Sequence, residues 1–244
     1  MSATPAGVAL VVGAGDGLGS AVARRFARAG LHAVVVRRQG DQLAAGVADI
    51  EAAGGVATAF GVDARSEDAV IDLFERVEHD IGPIEVAVHN IGANVAFPIR
   101  ETTVRKFTKV WEMGCLSGFL VGREAARRMA PRGRGTILFT GATASLRGRA
   151  HLAAFAGAKH ALRALAQSMA RELGPEGIHV AHVIVDGPID MPWIRENFAE
   201  LVAQRPDDGL LRPDDIAESY LALHRQKRSA WTFELDLRPW VEPW

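Results

Sequence analysis

Short apolar runs rich in β-branched residues alternate with longer stretches of helical periodicity from one end of the chain to the other. The runs predict strands at Val8–Gly13, His32–Arg37, Val56–Gly61, Ile84–His89, Thr136–Thr140, His179–Val185 and Trp231–Leu237. They are nearly uninterrupted, as strands buried on both faces require. Between them, Leu18, Val22 and Phe26 mark one helical stripe, and Leu162, Leu165, Met169 and Leu173 mark another. Strand–helix alternation implies a parallel sheet, and right-handed crossovers then put helices on both faces. The expected fold is α/β: a doubly wound, seven-stranded parallel sheet in three αβα layers, with residues 1–244 forming a single domain.

No repeat, low-complexity tract or charge block interrupts the pattern. The least regular piece, residues 186–211, holds three prolines and the apolar-aromatic patch Met191, Trp193, Ile194 and Phe198. Long excursions at the carboxyl ends of strands are where such sheets bind ligands. The segment is therefore expected to be a substrate lid.

Composition narrows the function classes. Hydrophobic residues make up 48% and charged residues 23% of 244, which fits a globular chain rather than a disordered one. The 28 basic and 29 acidic residues leave a net charge of −1, so no broad field recruits nucleic acid or an acidic membrane. A small-molecule substrate is the expected partner. Cys115 is the only cysteine, which excludes an intramolecular disulfide and a multi-thiolate zinc site. No histidine pair has metal-ligand spacing, so no metal is expected. The start of the chain lacks a basic n-region and runs into glycines after a short apolar stretch, so a cytoplasmic location is expected.

Immediately after the first strand comes Gly13-Ala14-Gly15-Asp16-Gly17-Leu18-Gly19, followed by a helix beginning near Ser20. Glycines there let a pyrophosphate approach the backbone, and amides at the helix N-terminus meet its charge. The bland alternative is a tight strand-to-helix turn. At the end of the second strand, where an acidic residue would hold a ribose 2′-hydroxyl, the chain has Arg37 and Arg38. Two guanidiniums suit a 2′-phosphate and favour NADP(H), although they could also be a solvated pair opening the next helix.

With these residues in hand, the chain resembles the short-chain dehydrogenase/reductase family over nearly its whole length, which implies a Rossmann-like domain. Gly13, Gly17 and Gly19 have that family's spacing, and Leu18 sits within the turn. The resemblance implies that Asp63, followed by Ala64, holds the adenine amino group. His89-Asn90-Ile91-Gly92 resembles the family's Asn-Asn-Ala-Gly, and Asp186-Gly187-Pro188-Ile189 its Pro-Gly turn, which assigns Asn90, Gly92, Gly187 and Ile189 to the cofactor. Arg212–Ala217 looks like the family's opening of the late helix. Dimers or tetramers through the fourth and fifth helices are also implied, and Trp231, Trp240 and Trp244 in the tail suggest a further subunit contact.

The match fails in the catalytic motif. Where the family has Tyr four residues before Lys, this chain has Phe155 before Lys159, and Ala142 stands in place of the Ser thirteen residues before the Tyr. The sole tyrosine, Tyr220, falls in the late helix. The family's proton-relay Asn is missing from Gly114-Cys115-Leu116-Ser117-Gly118. His89, replacing an Asn beside the adenosine pocket, is a packing or hydrogen-bonding substitution with a cofactor role left open. Hydride transfer to a carbonyl needs an acid or base worth ~10²- to 10⁴-fold in rate, and phenylalanine supplies neither. Three readings remain: an oxidoreductase in which Lys159 hydrogen-bonds the nicotinamide ribose and the acid/base is drawn from Thr143, Ser145 or His151, or whose substrate is a cationic imine; a non-redox lyase or isomerase; and a silent nucleotide-binding regulatory or assembly subunit. For Thr143 and Ser145 the alternative is turn-making, and for His151 a solvated helix start. Ala142, Phe155, Met191 and Trp193 would line a substrate pocket for a small hydrophobic molecule, or else pack the lid.

Overall fold

The computed structural model describes residues 5–243. In chain order the first half runs β1 (Val8–Val12), α1 (Leu18–Arg28), β2 (His32–Arg37), α2 (Ala44–Ala52), β3 (Val56–Gly61), α3 (Glu67–Asp80) and β4 (Ile84–His89). The second half runs α4 (Val104–Trp111), α5 (Ser117–Met129), β5 (Gly135–Thr140), α6 (Ala153–Leu173), β6 (Ile178–Val185), α7 (Pro192–Asn197), α8 (Ala199–Ala203), α9 (Pro213–His224) and β7 (Glu234–Leu237). The strands form one seven-stranded sheet in the order β3-β2-β1-β4-β5-β6-β7, every neighbouring pair parallel.

Side-chain alternation assigns the faces. Along β1, Ala9 and Val11 enter a core with Phe26 of α1 and Tyr220 of α9. Val8, Leu10 and Val12 enter the other, with Phe74 of α3, Val121 of α5 and Leu162 of α6. Truncating a fully buried side chain such as Phe26 or Phe74 to alanine costs about 3–5 kcal/mol. The winding reverses between β1 and β4, so a crevice opens at the carboxyl ends of these two central strands.

Sequence and structure differ at the margins, each time for a local reason. The edge strands β3 and β7 are only half-buried, because each has a neighbour on one side only. Helix α1 begins at Leu18 rather than near Ser20. The last strand starts at Glu234, because the preceding residues are held by side chains: the His179 ring stacks on Trp231 at 4.9 Å and reaches the Thr232 carbonyl at 2.9 Å. Trp231 is therefore half-buried, Trp240 is 74% exposed, and Trp244 lies outside the described residues. A five-residue π-helical turn, Glu112–Leu116, fuses α4 and α5 into one long helix. A Cβ at Gly114 would approach the Ala158 Cβ to 2.9 Å, so a side chain there would push α6 away. Among the described residues no helix is long and apolar enough to cross a membrane.

Candidate active site

The crevice comprises two cavities of about 430 and 290 Å³. They share Gly13, Gly15, Asn90, Ile91 and Gly92 as a common wall, so they form one continuous trough. Gly13 has φ +98°, and a Cβ there would press to 2.5 Å against the Asn90 carbonyl oxygen. The Asn90 amide in turn donates to the Gly13 carbonyl at 3.0 Å, pinning the turn to the end of β4. Beyond Gly17 no side chain caps α1, so its first amides face the trough unclaimed by a cap.

The smaller cavity brings together the residues at the ends of β2 and β3 expected to meet a cofactor. Arg37, Arg38, Asp63 and Ala64 all line it. Arg37 lies 3.6 Å from the exposed carboxylate of Asp16. Asp63 is not free as its sequence position suggests: Arg65 binds both its oxygens, with Nη2 to Oδ2 at 2.5 Å, and this holds the Asp63 carboxyl below the usual carboxylate range. Arg65 is thus a third guanidinium in this cavity.

The larger cavity runs past Asp16, Gly17, Leu18 and Gly19 to Lys159, with Gly187, Ile189 and Met191 on one side and Ala142, Thr143 and Phe155 on another. The trough is open to a diphosphate beside Gly15 and Gly92, where an added side chain would meet nothing within 4 Å. The Met191 side chain covers Gly17, where an added Cβ would meet its Cε at 3.1 Å. The glycine turn would hold the diphosphate, the arginines a 2′-phosphate, and Lys159 the far ribose.

Lys159 is buried, and its ammonium donates to the Thr140 carbonyl at 2.7 Å and the Ile91 carbonyl at 3.3 Å. These carbonyls accept from the charge without neutralising it, and burial lowers the lysine to about 8. One turn earlier on α6, Phe155 presents an apolar ring to the cavity, 6% exposed.

Several sequence candidates stand elsewhere. Ser145 is fully buried and accepts from the Ala142 backbone amide at 3.1 Å, closing the turn rather than lining the cavity. His151 is exposed, with φ +67° and its carbonyl taken by the Phe97 amide at 2.7 Å, and its ring is absent from the cavity wall. Trp193 is 53% exposed and packs edge-on against Phe198, away from the cavity that Met191 lines. Residues 186–211 carry α7 and α8 and are tied at their base by bridging of Ile189 and Leu211. His89 is fully buried beneath the crevice and lines neither cavity. Its Nε2 lies 2.8 Å from the Ser117 hydroxyl, and burial, then the Lys159 charge, lowers it to about 3. Cys115 is buried, and burial raises its thiol.

Sequence reasoning missed Asp186. It is 1% exposed at the end of β6, its Oδ1 accepts the Thr143 hydroxyl, and its Oδ2 faces Arg238 at 3.1 Å and Arg147 at 3.6 Å. The available signal was an acid closing the buried run His179–Val185. Arg147 and Arg149, which also line the larger cavity, were likewise missed.

A model of the short chain dehydrogenase family matches residues 7–200. Gluconate 5-dehydrogenase of Gluconobacter oxydans (strain 621H) is 32% identical over 172 residues, 70% of this chain and 67% of that protein. A short-chain dehydrogenase structure from Rhodopseudomonas palustris is 48% identical, with a TM-score of 0.83, covering 96% of this chain and 99% of that one. A metagenomic short-chain oxidoreductase in complex with NADP is 26% identical, with a TM-score of 0.82, covering 97% of this chain and 98% of that one.

Proposed function

The chain belongs to the short-chain dehydrogenase family, and on that premise we propose that it is an NADP(H)-dependent oxidoreductase acting on a small carbonyl, alcohol or imine with an apolar body. The observation that carries this reading is the unbroken trough from Arg37 and Arg38 to Lys159. NADP(H) bound there would supply or take the hydride. The glycine turn holds the diphosphate, and Arg37 and Arg38 hold the 2′-phosphate. Asp63, Ala64, Asn90 and Gly92 border the adenosine half, while Gly187 and Ile189 border the nicotinamide half.

Among the side chains lining the larger cavity, the proton falls to Lys159, whose lowered pKa keeps both its forms accessible near neutrality. The single hydrogen of the Thr143 hydroxyl is committed to Asp186, so its oxygen can only accept from a ligand. Thr143 thus orients an alcohol or a protonated imine. Ser145 and His151 do not line this cavity, so the proposal gives them no proton to transfer. An imine that arrives already charged needs no proton on an oxyanion, and that suits a wall in which Phe155 and Ala142 replace hydroxyls. Those two residues also favour a second reading, a catalytically silent nucleotide-binding subunit.

The α4–α5 face exposes Val104 (84%), Phe107 (43%) and Phe119 (40%), which supports a homodimer or homotetramer.

Titration with NADPH, followed by nicotinamide fluorescence, tests the proposal. Saturable binding is expected, and its absence removes the enzyme reading. Replacing Phe155→Tyr together with Ala142→Ser should then raise ketone reduction. Turnover of cyclic imines by the unmodified protein separates the enzyme from the silent subunit.

A further inference from the structure

The cavity wall is apolar around Ala142, Leu152, Phe155 and Met191, yet its outer end carries Arg147 and Arg149. Both residues are exposed on the loop between Thr143 and α6 and line the larger cavity alone, whereas Arg37, Arg38 and Arg65 line only the smaller one. Arg147 is held there by Asp186, whose carboxylate is anchored from behind by Thr143 and Arg238. At 3.6 Å, Arg147 stands outside hydrogen-bond distance of Asp186, so its fork of donors remains open to a ligand. Arg149 has no carboxylate partner among the described residues.

The remaining charges deepen the asymmetry. Among the described residues the only acidic side chain lining this cavity, Asp16, faces Arg37, and Lys159 adds a third cation to the wall. An apolar middle with cations at the mouth matches a molecule with an apolar body and an anionic end. Planar guanidinium forks bind carboxylates through paired charge-assisted hydrogen bonds.

We propose that the substrate is a small monocarboxylic acid whose carboxylate is held at the cavity mouth by Arg147 and Arg149, with an alicyclic or aromatic spacer between that group and the carbon that exchanges hydride. The inference rests on the oxidoreductase reading and narrows its substrate class. Asp186 is a positioning residue that acts through Arg147.

Calorimetric titration of the NADPH-bound protein with 4-oxocyclohexanecarboxylate and with 4-oxocyclohexanecarboxamide tests it. The acid should bind at least about tenfold tighter than the amide, as loss of a hydrogen bond to a charged group implies. Raising the salt concentration should narrow the gap. Arg149→Gln lies on an exposed loop, and it should cut acid affinity about tenfold while leaving amide affinity alone. Arg147→Gln should act in the same direction. Equal binding of acid and amide, binding of neither, or unaltered acid affinity in both variants overturns the proposal. NADPH titrated separately distinguishes the failures: NADPH binding without acid preference sinks this inference alone, whereas absent NADPH binding sinks the function beneath it.

Discussion

The phenol of Tyr220 lies 2.7 Å from the Thr140 hydroxyl, fully sealed between α9 and the end of β5, while the carbonyl of the same threonine holds Lys159. One residue thus anchors the core through its side chain and the cavity-lining Lys159 through its backbone. The only tyrosine of the chain is a core residue, and burial pushes its pKa up, away from any acid role. Tyr220→Phe should cost about 1 kcal/mol in denaturant unfolding, since it removes one buried hydrogen bond, with little effect on turnover. Loss of turnover without loss of stability would give Tyr220 a role that its burial excludes.

The two glycines at the start of the turn make opposite predictions. Gly15→Ala adds a methyl to open space and should leave the melting temperature unchanged while weakening NADPH binding. Gly13→Ala forces a side chain onto a +98° φ and against the Asn90 backbone, and should destabilise the fold by more than about 1 kcal/mol. Thermal melts run beside NADPH titrations read both.

Arg37→Asp should weaken NADPH binding by about ten- to a hundredfold and favour NADH, because a charge-assisted phosphate contact becomes a repulsion. Arg65, tied to Asp63, lines the same cavity, so Arg65→Ala should weaken NADPH binding by a smaller factor and free the Asp63 carboxylate. Dissociation constants for both cofactors, measured on each variant, check the ranking.

With Lys159 as the proton donor, carbonyl reduction should fall as pH rises through about 8, where the ammonium is lost, and oxidation should rise over the same range. Lys159→Met should remove that limb of the kcat/KM profile and lower the rate by about 10²- to 10⁴-fold. A profile flat through pH 8 in the unmodified protein would exclude Lys159 and leave the charged-imine route.

Stability should fall on acidification. His89 is neutral when folded, with a pKa near 3, whereas the unfolded chain takes up a proton below about 6.5. Stability contributed by the neutral ring is therefore complete above pH 6.5 and is lost as pH drops toward 3. From pH 6.5 to 5 this group accounts for about 2 kcal/mol. His89→Asn should flatten that slope in urea unfolding series, whatever its baseline cost.

Much of the fold was legible because period and composition are local properties. The two interior-facing patterns of β1, the glycine turn and the Arg37–Arg38 pair all fell where their spacing put them. The edge strands were less legible, since a run such as Val56–Gly61 does not reveal how many neighbours it will have. Among the candidate acids and bases, Thr143 and Ser145 lie two residues apart and look equivalent in sequence. Only the turn sends one hydroxyl to the cavity wall and the other to a backbone amide.

The sequence by itself determined the alternation of strands and helices, the glycine turn after the first strand and the absence of Tyr and Ser beside Lys159, because each is a statement about residue type and spacing along the chain. The tertiary structure alone decided that Asp186, Thr143, Arg147 and Arg238 meet at one carboxylate, and that Trp193 turns outward while Met191 turns in. Those contacts join the ends of β5, β6 and β7 across as many as 52 residues, and such distant side chains meet only once the parallel sheet has set the ends of its strands side by side.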